Sequence, residues 1–278
     1  MMGGMFGGRG RNNGDQNNNN NNNNNNHQQP QLQPQEEQHA PDMLGWYSDI
    51  PIVTRMYFTG AFVCTSLCAV DVLSPFYLYF NYDLVVHEHQ VWRLVTSYLF
   101  FGVFSIDFMF HMYFLVRYSR LLEEGSDFRN GRTSNYILML VFGIGNISLV
   151  ATYTNVHFLG SALTFMMVYV WGRRNPDIKM SFLGFFTFNA PYLPWVMLGF
   201  SCLLGNGVTM DLIGIIVGHQ YYYLEYIFPI VAEIRGFPFH RVLIPPFPLQ
   251  WFLGEGKYNH NNQNVGDFGM GGAPPGMM

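Results

Sequence analysis

FMMVYVWGRRNP, residues 165–176, is an apolar run that stops at two adjacent arginines. An uncharged stretch ended by a basic pair is what a membrane span leaves at its cytosolic mouth. The same pattern recurs on both sides of it. Six apolar segments lie between residues 56 and 230: roughly 57–73, 96–116, 136–153, 157–172, a segment ending at Gly205 and interrupted by Pro191 and Pro194, and 212–230. A bilayer core needs about 20 apolar residues per spanning helix, so the first, fourth and sixth are at or below the required length. Charge placement decides more than length. With six spans and a cytosolic N-terminus, Arg55, Arg117, Arg120, Arg129, Arg132, Arg173, Arg174, Lys179, Arg235 and Arg241 all fall on the cytosolic side. Only Arg93 falls opposite, between the first two spans. Basic residues collect on the cytosolic side of membrane proteins, and dropping one span would strand a basic cluster across the bilayer. The expected fold is an all-α membrane bundle of six transmembrane helices with both termini cytosolic. The alternative has four spans, with two weaker segments lying in the interface.

Composition agrees. Only 12% of the 278 residues are charged, about half the usual share of a soluble domain. Residues 1–45 are Asn-, Gln- and Gly-rich, with an unbroken Asn run from Asn17 to Asn26. Such a segment buries too little apolar surface to offset its ordering entropy, and a disordered cytosolic extension is expected. It has no apolar core of the signal-peptide kind, so no cleavage is expected there. Residues 46–252 are the membrane domain and 253–278 a flexible cytosolic tail. The net charge of −4 and the lack of a basic patch exclude a nucleic-acid binder. Cys64, Cys68 and Cys202 sit in apolar runs and form neither a disulfide framework nor a metal-ligand spacing. His87-Glu88-His89 lacks the further ligands that zinc requires, so no metal and no cofactor are expected.

Polar residues inside the apolar runs are the candidate functional groups. Asp107 and His111 are four apart and share one helix face. Asn146, Asn155, Asn189 and Asp211 lie in or beside other spans. Ionisable groups at membrane depth are costly and usually face a bundle interior or a wet cavity. The plain reading of Asp211 is a helix N-cap. Gly214 and Gly218 form a small-xxx-small pair that lets a second helix approach closely; Gly143 and Gly145 are too close together to do so.

Several phrases then carry a resemblance. Trp46-Tyr47, Ile50-Pro51 and Val53-Thr54-Arg55 lead into LSPFYLYFN (73–81), WRLVTSYLFFG (92–102), RYSRLLEEG (117–125), GRTSNY (131–136), FMMVYVWGRRNP (165–176), APYLPWVMLGFS (190–201) and DLIGIIVGHQYYYLE (211–225). In order and spacing these resemble the Derlin family, over nearly the whole apolar domain. The resemblance implies a rhomboid-like six-helix fold. It makes Trp92-Arg93 the counterpart of the Trp-Arg motif of the first luminal loop, a loop that rests in the leaflet and perturbs it.

A rhomboid protease carries a Ser within Gly-x-Ser-Gly on its fourth span and a His three residues before a Gly-x-x-x-Gly pair on its sixth. Here Leu159-Gly160-Ser161-Ala162 keeps the Ser and loses both flanking glycines, and the residue three before Gly214 is Asp211. A serine hydroxyl needs a base to take its proton. A carboxylate is a weak base at neutral pH and hands a proton to a leaving amine poorly. His219 lies eight residues further along, about 12 Å down the helix and turned by roughly 80°. The expectation is a pseudoprotease with no catalytic residues. An active serine protease using Ser161, or a scaffold or client receptor without a channel role, are the alternatives.

The resemblance implies an endoplasmic-reticulum membrane protein that assists retrotranslocation of misfolded proteins to the cytosol for degradation. Its implied partners are misfolded proteins, a membrane ubiquitin ligase complex, the lipid bilayer and the AAA-family segregase ATPase (valosin-containing protein). Homo- and hetero-oligomers both stay open. In the tail, Phe268-Gly269-Met270-Gly271 resembles the short motif that recruits that ATPase, although it runs on into Ala273-Pro274-Pro275, and Met5-Phe6-Gly7-Gly8 makes a similar pattern at the other end.

Overall fold

A proline fixes its own φ and has no N–H to leave unpaired, so it suits the start of a helix. Pro51 (φ −55°, ψ 150°) opens the first long helix in this way. The computed structural model describes residues 43–125, 133–154, 156–182, 184, 186–205, 207–237 and 242–253. The Asn-rich extension, Arg129, Arg132, Asn155, Asn206, Arg241 and the tail motif at Phe268, Gly269 and Gly271 lie outside them.

The elements run as follows. Helix α1 (Met43–Ser48) leads into α2 (Ile52–Ala69). A connecting region holds a 3₁₀ turn (Pro75–Tyr77), α3 (Tyr82–Val86) and α4 (Arg93–Leu99). Then come α5 (Ile106–Glu123), α6 (Thr133–Ala151) and α7 (Gly160–Arg174). Strands β1 (Lys179–Phe182) and β2 (Phe186–Asn189) precede a 3₁₀ turn (Ala190–Tyr192) and α8 (Leu193–Leu203). The chain closes with α9 (Thr209–Tyr222), a π-helical turn (Tyr223–Ile227), α10 (Phe228–Arg235) and α11 (Phe247–Phe252). Two local signals place ends well. The Ser105 hydroxyl accepts the Phe108 N–H at the start of α5, and Gly236 takes the left-handed φ of 68° that ends α10.

Helix α7 is the hub. Every residue from Ala162 to Gly172 is buried, as expected of a helix that is apolar all round. It contacts α4, α5, α6, α8 and α9, and α9 lies closest. A Cβ on Gly214 would collide with the Ala162 carbonyl and with Phe165, and one on Gly218 would press on Tyr169. Gly143 of α6 makes a third close approach, against Leu163 and Met166 of α7, while Gly145 faces open space.

The all-α expectation needs one amendment. Lys179–Phe182 and Phe186–Asn189 pair antiparallel, from Lys179 with Asn189 to Phe182 with Phe186. This hairpin lies in the connection before Pro191, which a reading of helical periods passes over. Among the described residues, two helices, Ile52–Ala69 and Thr133–Ala151, are long and apolar enough to cross a membrane; Ala190–Leu203 is apolar but shorter.

Candidate functional site

Two groups of polar side chains stand out within this apolar framework. The first surrounds Arg93. Its Nη1 donates to the carbonyls of Phe76 (2.9 Å) and Tyr79 (3.1 Å), and its Nε donates to Gln90 Oε1 (2.7 Å). The guanidinium also lies over the Tyr79 ring, 4.8 Å from its centroid. Arg93 is therefore buried, at 5% exposure, while its neighbour Trp92 is 53% exposed. A fork of five N–H donors suits this task, because it can bind several carbonyls at once. The two residues of the pair have separate roles. Arg93 knits the connecting region from inside and Trp92 faces out. Phe76, Tyr77, Val91 and Val95 of the same region are exposed too, as are Asp83, His87, Glu88 and His89.

The second group lies where α5, α8 and α9 meet. His111 Nδ1 is 3.0 Å from the Asp107 carbonyl and 3.4 Å from its carboxylate. Both neighbours are acceptors, so Nδ1 carries the hydrogen. Asp107, His111 and Ser201 line a small cleft whose other walls include Phe110, Phe114 and Phe200. Asp211 of α9 carries its buried carboxyl near Ser201 of α8 and is not among the residues that line the cleft. Asp211 is not the helix cap that its sequence position suggests. Val208 occupies that place, and Asp211 sits inside the first turn, 3% exposed, with Oδ2 lacking any hydrogen-bond partner. Its side chain points to the bundle interior, so it cannot fold back on its own backbone.

The remaining candidates are placed separately. Asn146 donates to the Phe142 carbonyl of its own helix (2.9 Å). Ser161 is half-buried at the start of α7. His219 Nδ1 is 2.7 Å from the Tyr169 hydroxyl, at the other end of α7 from Ser161. Among the described residues no hydrogen bond joins Ser161 to Asp211 or to a histidine, and no cluster of three or more His, Cys, Asp or Glu could hold a metal ion.

Sequence reasoning missed two features. Glu123 Oε1 accepts from Val53 N (3.0 Å), and its Oε2 accepts from Thr54 N and Oγ1 (2.8 and 2.7 Å). This carboxylate satisfies the free N–H groups at the start of α2, where a negative charge is favoured. Ser201 was missed as well, being one hydroxyl in an apolar phrase.

A helical bundle whose described residues include two apolar helices of spanning length is compatible with a membrane protein. The comparisons name its kind. The model of the Der1-like family matches residues 50–239. The chain is 50% identical to Derlin-2.2 of Arabidopsis thaliana over 201 residues, which is 68% of this chain and 82% of that one. It is 50% identical to Derlin-2.1 of Zea mays over 195 residues, 66% of this chain and 78% of the relative. It is 44% identical to the probable derlin-2 homolog of Dictyostelium discoideum over 197 residues, 68% and 77% of the two chains. The chain belongs to the Der1-like family. Membership in this rhomboid-like family sets its coarse role: endoplasmic-reticulum-associated degradation, at the membrane of that organelle.

Proposed function

We propose that this protein assists retrotranslocation of misfolded proteins as a non-proteolytic, six-span rhomboid-like bundle with both termini in the cytosol. The spans are α2, α5, α6, α7, α8 and α9 continued by α10. The connecting region that holds Trp92 and Arg93 is then luminal.

The observation that carries this reading is the Arg93 latch. It fixes a region whose outer face presents Phe76, Val91, Trp92 and Val95. Aromatic side chains favour the membrane interface, so a rigid loop of this kind lies in the leaflet and disturbs lipid order. Helix length acts in the same direction. At 1.5 Å per residue, α8 (11 residues) is about 16 Å long. A hydrocarbon core of about 30 Å must thin to meet it. Thinning lowers the barrier to moving a polar chain across.

Proteolysis is not part of the proposal. Asp211 stands where a serine protease of this layout needs an imidazole, and His219 is engaged by Tyr169. Ser161 is read as a small residue at a helix contact. Segregase recruitment through Phe268, Gly269 and Gly271, and docking on a ubiquitin ligase complex, complete the proposal on family resemblance alone.

The test is the half-life of a misfolded luminal reporter in cells lacking the protein. Wild type and Ser161→Ala should restore rapid degradation equally. A Ser161→Ala variant that inserts normally yet fails to restore it would return proteolysis as the leading reading. Deleting residues 266–278 should abolish pull-down of the segregase, and undiminished binding would remove the tail from the account.

A further inference from the structure

We infer that Arg173, seated on Tyr222 beside the Tyr169–His219 pair, forms a binding site for the phosphate of an anionic phospholipid headgroup at the end of the seam between α7 and α9. This site stands apart from client handling and needs only that the two helices lie in a bilayer.

Helices α7 and α9 run side by side in the same direction, and their contacts change character along the way. Gly214 packs against Ala162 and Phe165, and Gly218 against Met166 and Tyr169. At the next level the Tyr169 hydroxyl is 2.7 Å from His219 Nδ1. Beyond it the Arg173 guanidinium lies over the Tyr222 ring, 5.4 Å from its centroid. Arg174 lies over Tyr226 of the π turn, at 5.3 Å. The rings of Tyr222 and Tyr226 stack, with centroids 5.3 Å apart. Glycine contacts thus give way to Tyr and His, and these to Arg. Tyrosines and basic residues collect at the membrane–water interface, so the seam ends at the level of the phosphates.

The donors of Arg173 decide the ligand. Arg93 gives its N–H groups to carbonyls, and Arg120 pairs with Glu124 at 3.0 Å. Arg173 is exposed, and among the described residues it makes neither a hydrogen bond nor a salt bridge, Glu225 of the neighbouring π turn included. A guanidinium that rests its face on a ring keeps its edge N–H groups for a ligand, and that edge matches two phosphate oxygens. His219 is exposed one rung away, three residues before Tyr222 and so about 4.5 Å along the helix. With the Tyr169 hydroxyl donating to Nδ1, its Nε2 carries the imidazole hydrogen and has no partner among the described residues. Donors are therefore in excess, and Arg174 adds a second positive charge beside them. An anionic headgroup suits this set. A choline or ethanolamine headgroup would bring its own cation against the two arginines.

The test titrates the full chain in detergent micelles with short-chain phosphatidylinositol and phosphatidylcholine, read by native mass spectrometry. Wild type should hold phosphatidylinositol about tenfold more tightly, the size of one charge-assisted hydrogen bond. Arg173→Ala should bring it down to the phosphatidylcholine level. Arg235→Ala removes the same charge away from the seam and should leave the preference intact. Tyr222→Leu keeps every charge, removes the ring, and should lower the preference severalfold. Should Arg173→Ala fail to fold, Arg173→Gln carries the same comparison. Equal binding of the two lipids by wild type, a preference that survives the loss of Arg173, or full preference in Tyr222→Leu overturns the inference. An equal loss from Arg173→Ala and Arg235→Ala overturns it too and reduces the effect to general surface charge. Inorganic phosphate that binds wild type as tightly as the lipid, and is lost with Arg173, assigns the site to a soluble phosphate and overturns the lipid reading.

Discussion

Glu123 accepts three hydrogen bonds from Val53 and Thr54, and it does so buried. A hydrogen bond to a charged group contributes about 1.5–3 kcal/mol, and contributions of bonds that share one carboxylate do not simply add. Glu123→Ala should lower stability by about 3 kcal/mol, read as a drop in melting temperature in detergent. Glu123→Gln keeps the shape and one acceptor oxygen, loses the charge opposite the start of α2, and should cost about 1 kcal/mol. Equal losses for both would mean that the charge contributes nothing. Arg93→Ala removes three donated bonds at once. It should stop the reporter from being degraded while leaving the protein inserted, whereas Trp92→Ala, at an exposed position, should leave the stability within about 0.5 kcal/mol of wild type. At this scale the sequence was uneven. Asp107 and His111 were legible, because a spacing of four fixes a shared face. Arg93 was legible as the lone basic residue of its loop, yet its inward direction was not. Its partners are carbonyls 14 and 17 residues away, and no local pattern records them. Glu123 was hidden in a charged phrase that reads as a solvated helix end.

Helix contacts belong to the next scale. The Gly214 and Gly218 pair was legible from its spacing, and the structure sets both against α7. Gly143 was not, because a lone glycine carries no period; its neighbour Gly145 faces open space. Substitution should separate these positions. Gly214→Ala forces a methyl onto the Ala162 carbonyl and should cost about 2 kcal/mol or more. Gly145→Ala meets nothing and should be neutral or slightly stabilising, since glycine is a poor helix former. A tolerated Gly214→Ala would contradict the packing of α9 on α7. The β1–β2 hairpin and the true position of Asp211 were illegible for a common reason. Both depend on where the following helix begins, and helix starts are decided by tertiary packing as much as by capping chemistry.

The molecule as a whole combines helices of unequal length. Helices α2 and α6 reach spanning length, α8 does not, and α9 continues through a π turn into α10. Pro229, in the first turn of α10, has no N–H to give, and a widened turn accommodates that loss. The apolar domain and the basic residues beside it were legible in the sequence. The uneven helix lengths were not, since hydropathy runs on through 3₁₀ turns and loops where the helix has stopped. Cytosolic termini predict that an N-glycosylation acceptor inserted near Asp83 is modified and that one near Lys179 is not; the reverse would invert the topology. The central claim is that this bundle thins the membrane around it. The direct measurement is the separation of headgroup layers around the full chain in lipid nanodiscs, by electron cryomicroscopy. The account predicts a separation several ångströms below that of bulk lipid beside α8 and the Trp92 face. A separation equal to bulk all round the protein would contradict it.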